Sequence, residues 1–401
     1  MIWLFYIFEF LIDILIMDNY TGSIISKIPG IGTSIFAVMS KLANDHNAIN
    51  LSQGFPDFEV SPQLIELINK YMKQGENQYA PMPGLPVLRQ EIAKKVKSNY
   101  GADYHPETEI TVTAGATQAL YTAISAFVKD EDEVVIFEPA YDSYSPAIKL
   151  NQGIVKYSQL KLPDYHIDWR EVSRMITHRT KMIVINTPHN PTGAVLSKKD
   201  LEELHKLTKN TDIVILSDEV YEHLIFDRKK HHSLCAYKGL AERTIVVASF
   251  GKTFHATGWK MGYALAPEKL MKEFRKTHQF IVFTVNTPIQ YALAEYMQDE
   301  ENYKNLGSFY QNKRDVFLDL IKDSKFKTVP SHGTYFQVLD YSEISDLPEM
   351  QFAEKLIKEH NVASVPVSAF YHQKTDHKML RFCFAKKEET LKKAAELLCK
   401  I

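Results

Sequence analysis

The chain has 401 residues, 45% hydrophobic and 24% charged, which is enough material for more than one domain and a large core. A net charge of −2 provides no global positive field for nucleic acid or for an acidic membrane surface. The three cysteines, Cys235, Cys383 and Cys399, are odd in number and far apart, so they exclude a disulfide framework and fit a reducing, cytoplasmic compartment; no Cys/His spacing suggests a metal site.

The first sixteen residues, MIWLFYIFEFLIDILI, are short for a bilayer span, and Glu9 and Asp13 interrupt them on one helical face. No Lys or Arg precedes Lys27, so the basic region of a secretory signal is missing. We read residues 1–16 as a non-native extension from gene calling and Met17 as the start; a peripheral membrane contact is the alternative.

From there, apolar β-branched runs alternate with segments of helical period. EITVTAG predicts a strand, and ATQALYTAISAFV after it carries Ala119, Leu120, Ala123, Ile124 and Phe127 at helical spacing. EVVIFEP, KMIVINTP, DIVILSDE and TIVVASF predict four more strands, short, continuous and bounded by turn residues. Such unbroken Val/Ile runs mark strands buried on both faces, as in a parallel sheet covered by helices. SKKDLEELHKLTKN predicts a crossover helix between two of them. The expected fold is therefore α/β, a mostly parallel doubly wound sheet over residues 65–300. Beyond it, GTYFQVLDYS, VASVPVSAF and MLRFCFAK predict strands, and MQFAEKLIKEH and KEETLKKAAELLCK predict helices. Residues 301–401 then form a smaller α+β domain, and residues 17–64 an N-terminal segment that contributes to it.

In an open parallel sheet, ligands bind beyond the carboxyl ends of the strands. Those ends deliver Gly115-Ala116-Thr117, then Glu138 to Tyr141, then Asn186 and Asn190-Pro191-Thr192-Gly193, then Asp218, then Ser249 leading to Lys252. Each has an ordinary explanation as turn or cap chemistry, but together they require five coincidences at one sheet edge. An amine at such an edge suggests a bond to a carbonyl cofactor. Pyridoxal 5′-phosphate asks for this set: a lysine for its aldehyde, a carboxylate for its ring nitrogen, N–H groups and a cation for its phosphate, and an aromatic ring face.

The order and spacing of Asn190-Pro191 to Gly193, Ser217-Asp218-Glu219-Val220-Tyr221, Ser249-Phe250-Gly251-Lys252 and Lys260-Met261-Gly262 resemble the class I, fold-type I pyridoxal phosphate-dependent aminotransferases. The resemblance runs from Met17 to Ile401. It implies that Lys252 bonds the cofactor and carries the proton, that Asp218 pairs with the ring nitrogen, and that Asn190 and Tyr221 approach the ring oxygen. It further implies that Tyr141 stacks on the ring with Asn186 close by, and that Gly115, Ala116, Thr117, Ser249 and Lys260 hold the phosphate. Many relatives carry arginine where Lys260 stands, so a point charge replaces a planar fork. Arg381 occupies the position that grips the substrate carboxylate, and its neighbours Leu380, Phe382 and Phe384 argue against exposure. Gly54 and Phe55 fall in the substrate segment. Tyr79 matches a tyrosine that reaches the phosphate of the other subunit, which implies a homodimer, and Phe283 is expected from the partner as well.

Within the family, SFGKTFHATGWKMGY, NTPHNPTG and HQFIVFTVNTPIQ most resemble the bacterial methionine aminotransferases and their kynurenine and glutamine relatives. A pocket walled by Phe55, Tyr141, Tyr79 and Phe283 suits thioether and aromatic side chains. No second arginine stands ready for a dicarboxylate. The alternative is a β-lyase acting on cysteine conjugates with the same residues. A cofactor-binding regulator is discounted, because no helix-turn-helix pattern precedes Asn50.

Overall fold

The computed structural model describes residues 22–401; the proposed extension 1–16 lies outside the described residues. Residues 22–31 carry no helix or strand. From there to the C-terminus the strands in chain order are β1 (Ile49–Asn50), β2 (Ile110–Thr113), β3 (Glu133–Glu138), β4 (Ile154–Gln159), β5 (Thr180–Asn186), β6 (Val214–Asp218), β7 (Thr244–Ser249), β8 (Gly262–Leu265), β9 (Phe336–Asp340), β10 (Val362–Ala363), β11 (Val365–Pro366) and β12 (Met379–Cys383).

Seven of them make one sheet in the order β2-β8-β7-β6-β5-β3-β4. The pairs β3–β4, β3–β5, β5–β6 and β6–β7 are parallel. β8 runs antiparallel to both its neighbours, β7 and β2, so β2 points the same way as β7. Parallel neighbours need crossover connections: the helix Tyr144–Leu150 joins β3 to β4, and the helix Lys198–Thr208 joins β5 to β6. The last of these starts at a capping box, with Ser197 accepting from Asp200 N and the Asp200 carboxylate accepting from Ser197 N.

Alternate residues of the same strand enter different cores. Val134 and Ile136, Met182 and Val184, and Val214 and Leu216 pack with Ala119, Ala123 and Ile124 on one face. Val135 and Phe137, Ile183 and Ile185, and Ile215 pack with Leu201 and Leu204 on the other. Burial on both faces is the reason for the continuous apolar runs, and each side chain contributes about 1.5–3 kcal/mol.

β9, β11 and β12 form a second, antiparallel sheet in the order β11-β12-β9. VASVPVSAF, expected as one strand, is broken at Ser364. β10 pairs in parallel with β1, β11 pairs with β12, and Val367–Phe370 closes as a short 3-10 helix. Pro366 is tolerated because β11 lies at a sheet edge. β4 and β8 were not singled out in the sequence: β8 has only four residues, GYAL, and opens on a glycine. Among the described residues no helix is long and apolar enough to cross a membrane.

Candidate active site

Because β2, β3, β5, β6 and β7 all point one way, their carboxyl ends open on one edge of the sheet, where β8 begins. A cavity of about 200 Å³ lies there. It gathers Gly115, Ala116 and Thr117 from the end of β2, Tyr141 after β3, and Asn186 and Asn190 after β5. Asp218 and Tyr221 reach it from β6, and Ser249, Lys252 and Lys260 from β7 and the following turn.

Asp218 is buried at the end of β6. Its Oδ2 accepts a 2.6 Å hydrogen bond from the Tyr144 hydroxyl, and its backbone carbonyl accepts from Asn186 Nδ2 at 3.0 Å. Asn186 Oδ1 in turn accepts from Asn190 N at 2.8 Å, which ties the β5 turn to the β6 end. Burial pushes the Asp218 carboxyl up to about 6, although Tyr144 and Lys252 both act to lower it.

Lys252 sits in the single helical turn Phe250–Thr253, where Ser249 Oγ accepts from Lys252 N at 3.3 Å. Its Nζ donates to the Gly54 carbonyl at 3.1 Å and to the Tyr335 hydroxyl at 2.8 Å. The amine lies 5.6 Å from the Tyr221 ring centroid. Burial brings its pKa down to about 8. Among the described residues neither Lys252 nor Asp218 makes an ion pair, although both line the cavity.

Arg381, on β12, is only 1% exposed. It donates from Nη1 to Asn190 Oδ1 at 2.8 Å and from Nη2 to the Ser52 carbonyl at 3.0 Å. Its guanidinium lies 3.8 Å from the Phe336 ring centroid, with Phe36 at 5.1 Å and Phe370 at 5.2 Å. Nε has no hydrogen-bond partner among the described residues. Burial lowers its pKa to about 10, so it keeps its charge at neutral pH. A buried cation held only by neutral oxygens and ring faces is suited to receive an anion.

At the opposite end, Gly115 opens its helix with φ +76°, and Lys260 adopts φ +55°. A Cβ on Gly115 would stand 3.4 Å from Lys260 Cε. One on Gly262 would stand 2.8 Å from Ala248 O and 2.9 Å from Ala116 N, so glycine there lets β8 approach the helix start closely. The thirteen-residue helix Gly115–Phe127 directs its first N–H groups toward the cavity mouth, beside Ser249 and Lys260. Tyr141 OH lies 3.4 Å from Thr117 Oγ1.

Three expected residues stand apart. Tyr79 is 84% exposed and Phe283 50% exposed; they contact each other edge to face, with centroids 5.6 Å apart, and do not line the cavity. Phe55 is partly exposed, and its carbonyl accepts from Lys386 Nζ at 2.9 Å. Gly54 joins the site through its carbonyl alone. Sequence reasoning missed Tyr144, Ser52 and Tyr335. Tyr144 follows Tyr141 by three residues in YDSYSP, and Tyr335 sits inside GTYFQV, where an aromatic looks like core.

The family model described as aminotransferase class I and II matches residues 46–398. The chain is 47% identical over 374 residues to the methionine aminotransferase of Escherichia coli K12, covering 93% of this chain and 97% of that one. It is 34% identical to the kynurenine–oxoglutarate transaminase of Dictyostelium discoideum, covering 96% and 97% respectively. The solved structure of YbdL from Escherichia coli, identified as having a methionine aminotransferase function, superposes with a TM-score of 0.93 at 46% identity, over 95% of this chain and all of that one.

Proposed function

Since this chain belongs to the class I and II aminotransferases, we propose that it transfers the amino group of methionine-like and aromatic L-amino acids to a 2-oxo acid, with pyridoxal 5′-phosphate as cofactor. One observation carries this reading. A buried carboxylate, Asp218, and an amine of depressed pKa, Lys252, line the same cavity and are not paired with each other. Two opposite charges left apart suit a group that is protonated at one end and reacts with an amine at the other.

When bound, the cofactor supplies an aldehyde for an amine and a protonated ring that accepts negative charge. Lys252 would hold the aldehyde end and move the proton at the substrate Cα. Asp218, held by Tyr144, would keep the ring nitrogen protonated, and pairing would offset its desolvation. The N–H groups of Ala116 and Thr117, with Ser249 and Lys260, would hold the phosphate. Tyr141 would cover one ring face, and Asn190 and Tyr221 would approach the ring oxygen. Arg381 would take the α-carboxylate that every amino acid shares, presenting two parallel N–H groups.

The donor preference rests on the similarity to a methionine aminotransferase and a kynurenine transaminase, and on aromatic walls that suit thioethers and rings. Tyr79 and Phe283 would complete those walls from a second copy of the chain, as a homodimer. Their exposed edge-to-face pair lies on one surface, which supports that view. The division into a large domain at 65–300 and a small one at 301–401 is likewise our proposal, as is a cytoplasmic setting, for which the three free cysteines speak. The test is a donor panel of methionine, phenylalanine, kynurenine, glutamine and aspartate with one 2-oxo acid, scored by appearance of the new amino acid. Release of thiol without amine transfer would overturn the reading.

A further inference from the structure

We propose that Tyr335 is a positioning residue for Lys252: its hydroxyl donates a hydrogen bond to the Gly54 carbonyl, accepts one from the lysine amine, and so leaves the amine's remaining direction to the cavity. The inference rests on the reading of Lys252 as the amine that bonds the cofactor.

The geometry is a closed ring of three groups. Lys252 Nζ donates to Gly54 O and to the Tyr335 hydroxyl, and the same hydroxyl donates to Gly54 O. A phenol has one proton and two lone pairs. With the proton committed to a carbonyl, which can only accept, the hydroxyl can meet Nζ only as an acceptor. An sp³ nitrogen has four directions. Cε, Gly54 O and Tyr335 O take three, and the fourth is where a neutral amine carries its lone pair. Were the phenol proton aimed at the amine instead, it would occupy that lone pair and block attack on a carbonyl carbon.

The tyrosine is held firmly enough to set a direction. It is fully buried, with its ring edge-on to Tyr221 at 5.0 Å and to Phe336 at 4.9 Å. Its loop has no slack: a Cβ on Gly333 would stand 2.7 Å from Pro188 Cβ and 2.8 Å from Leu224 O, and Thr334 N donates to Leu224 O at 3.1 Å. The other groups around the amine act through charge. Arg381 and Lys260 oppose its protonation, Asp218 favours it, Cys383 faces it as a thiol that burial keeps protonated, and Tyr221 presents its ring. Among the described residues Tyr335 supplies the one side-chain hydrogen bond to Nζ.

The test uses the full chain, freed of cofactor and reloaded with pyridoxal 5′-phosphate across pH, with cofactor capture followed by visible absorbance. Borohydride reduction and peptide mapping then locate the bond. An acceptor favours the ammonium over the amine, so its loss lowers the amine's pKa. In Tyr335→Phe the midpoint of capture should fall by about one pH unit. The high-pH capture rate should also fall, about tenfold, because the lone pair is no longer directed. Tyr310→Phe is the control. Tyr310 is buried 5.8 Å from the Tyr335 ring, and its hydroxyl has no hydrogen-bond partner among the described residues, so this variant should track the wild type. An unmoved midpoint and rate in Tyr335→Phe, or the same shift in Tyr310→Phe, overturns the inference while the Lys252 assignment stands. A label on another lysine in the wild type overturns both.

Discussion

The Tyr144 hydroxyl donates to Asp218 Oδ2 at 2.6 Å, from a helix that follows β3 to a carboxylate that ends β6. That bond favours the carboxylate form, against a burial that raises Asp218 to about 6. Tyr144→Phe removes the favourable partner, so the carboxyl should rise further. The acid limb of the kcat/KM–pH profile should then move to higher pH by about one unit, with activity at high pH largely kept. An acid limb that stays in place would show that the bond does not tune the carboxylate.

Asp218→Ala should lower turnover far more than cofactor occupancy. A carboxylate facing a ring nitrogen acts on charge that develops during reaction, which is a transition-state contribution, whereas the phosphate contacts govern retention. Absorbance gives occupancy, and kcat per bound cofactor gives turnover. Cofactor loss with normal turnover in the remaining loaded enzyme would refute this division of roles.

Lys252 carries a stability cost in the chain without cofactor. Its folded pKa, about 8, lies below the 10.5 of an ordinary lysine. The unfolded chain therefore binds more protons between those values, and stability rises with pH across that window and is reduced below it. Lys252→Met should unfold at a higher temperature than the cofactor-free wild type at pH 7, and the gap should narrow toward pH 10. A gap that is constant with pH would mean the amine's charge is not the source.

Arg381→Ala should reduce kcat/KM for every donor by a similar factor, since the carboxylate is common to all. Substitution of Phe283 or Tyr141 should instead reorder methionine, phenylalanine, kynurenine and glutamine. Aspartate should remain poor throughout, because a desolvated second carboxylate finds no second arginine among the described residues that line the cavity. Aspartate as the best donor, or an Arg381 variant that spares methionine alone, would overturn the pocket assignment.

If Tyr79 serves the neighbouring subunit's site, Tyr79→Phe and Lys252→Ala lie in different chains of each shared site. Mixed dimers of the two variants then hold one intact site, and random mixing should restore about a quarter of wild-type activity. Mixing that restores nothing would place Tyr79 in its own chain's site, or outside the chemistry.

How far the sequence revealed this site follows from burial and from chain connectivity. Asp218, Asn186 and Ser249 were legible because each ends an unbroken apolar run, and such runs must point their ends at one edge of a parallel sheet. β8 was not, because GYAL is too short to show a period, and its antiparallel direction depends on neighbours far along the chain. Tyr335 and Tyr144 were hidden for a different reason. A buried tyrosine in a strand or helix looks like core until the partner of its hydroxyl is seen. Tyr79 and Phe283 do not line the cavity of their own chain, which is what the homodimer we propose would require.

The bond from Arg381 to the Ser52 carbonyl joins residues 329 apart. β8, the last strand of the seven-stranded sheet, ends at Leu265, so Asp218 and Lys252 can take their places while the chain is still being made. Arg381 and its partner strand β9 emerge later, and only then can the Ser52 carbonyl meet the guanidinium. On a ribosome adding about 5–20 residues per second, the half of the site that suits a cofactor is finished several seconds before the half that suits a substrate. A nascent chain stalled in that interval lacks Arg381, and its β1 waits unpaired for β10.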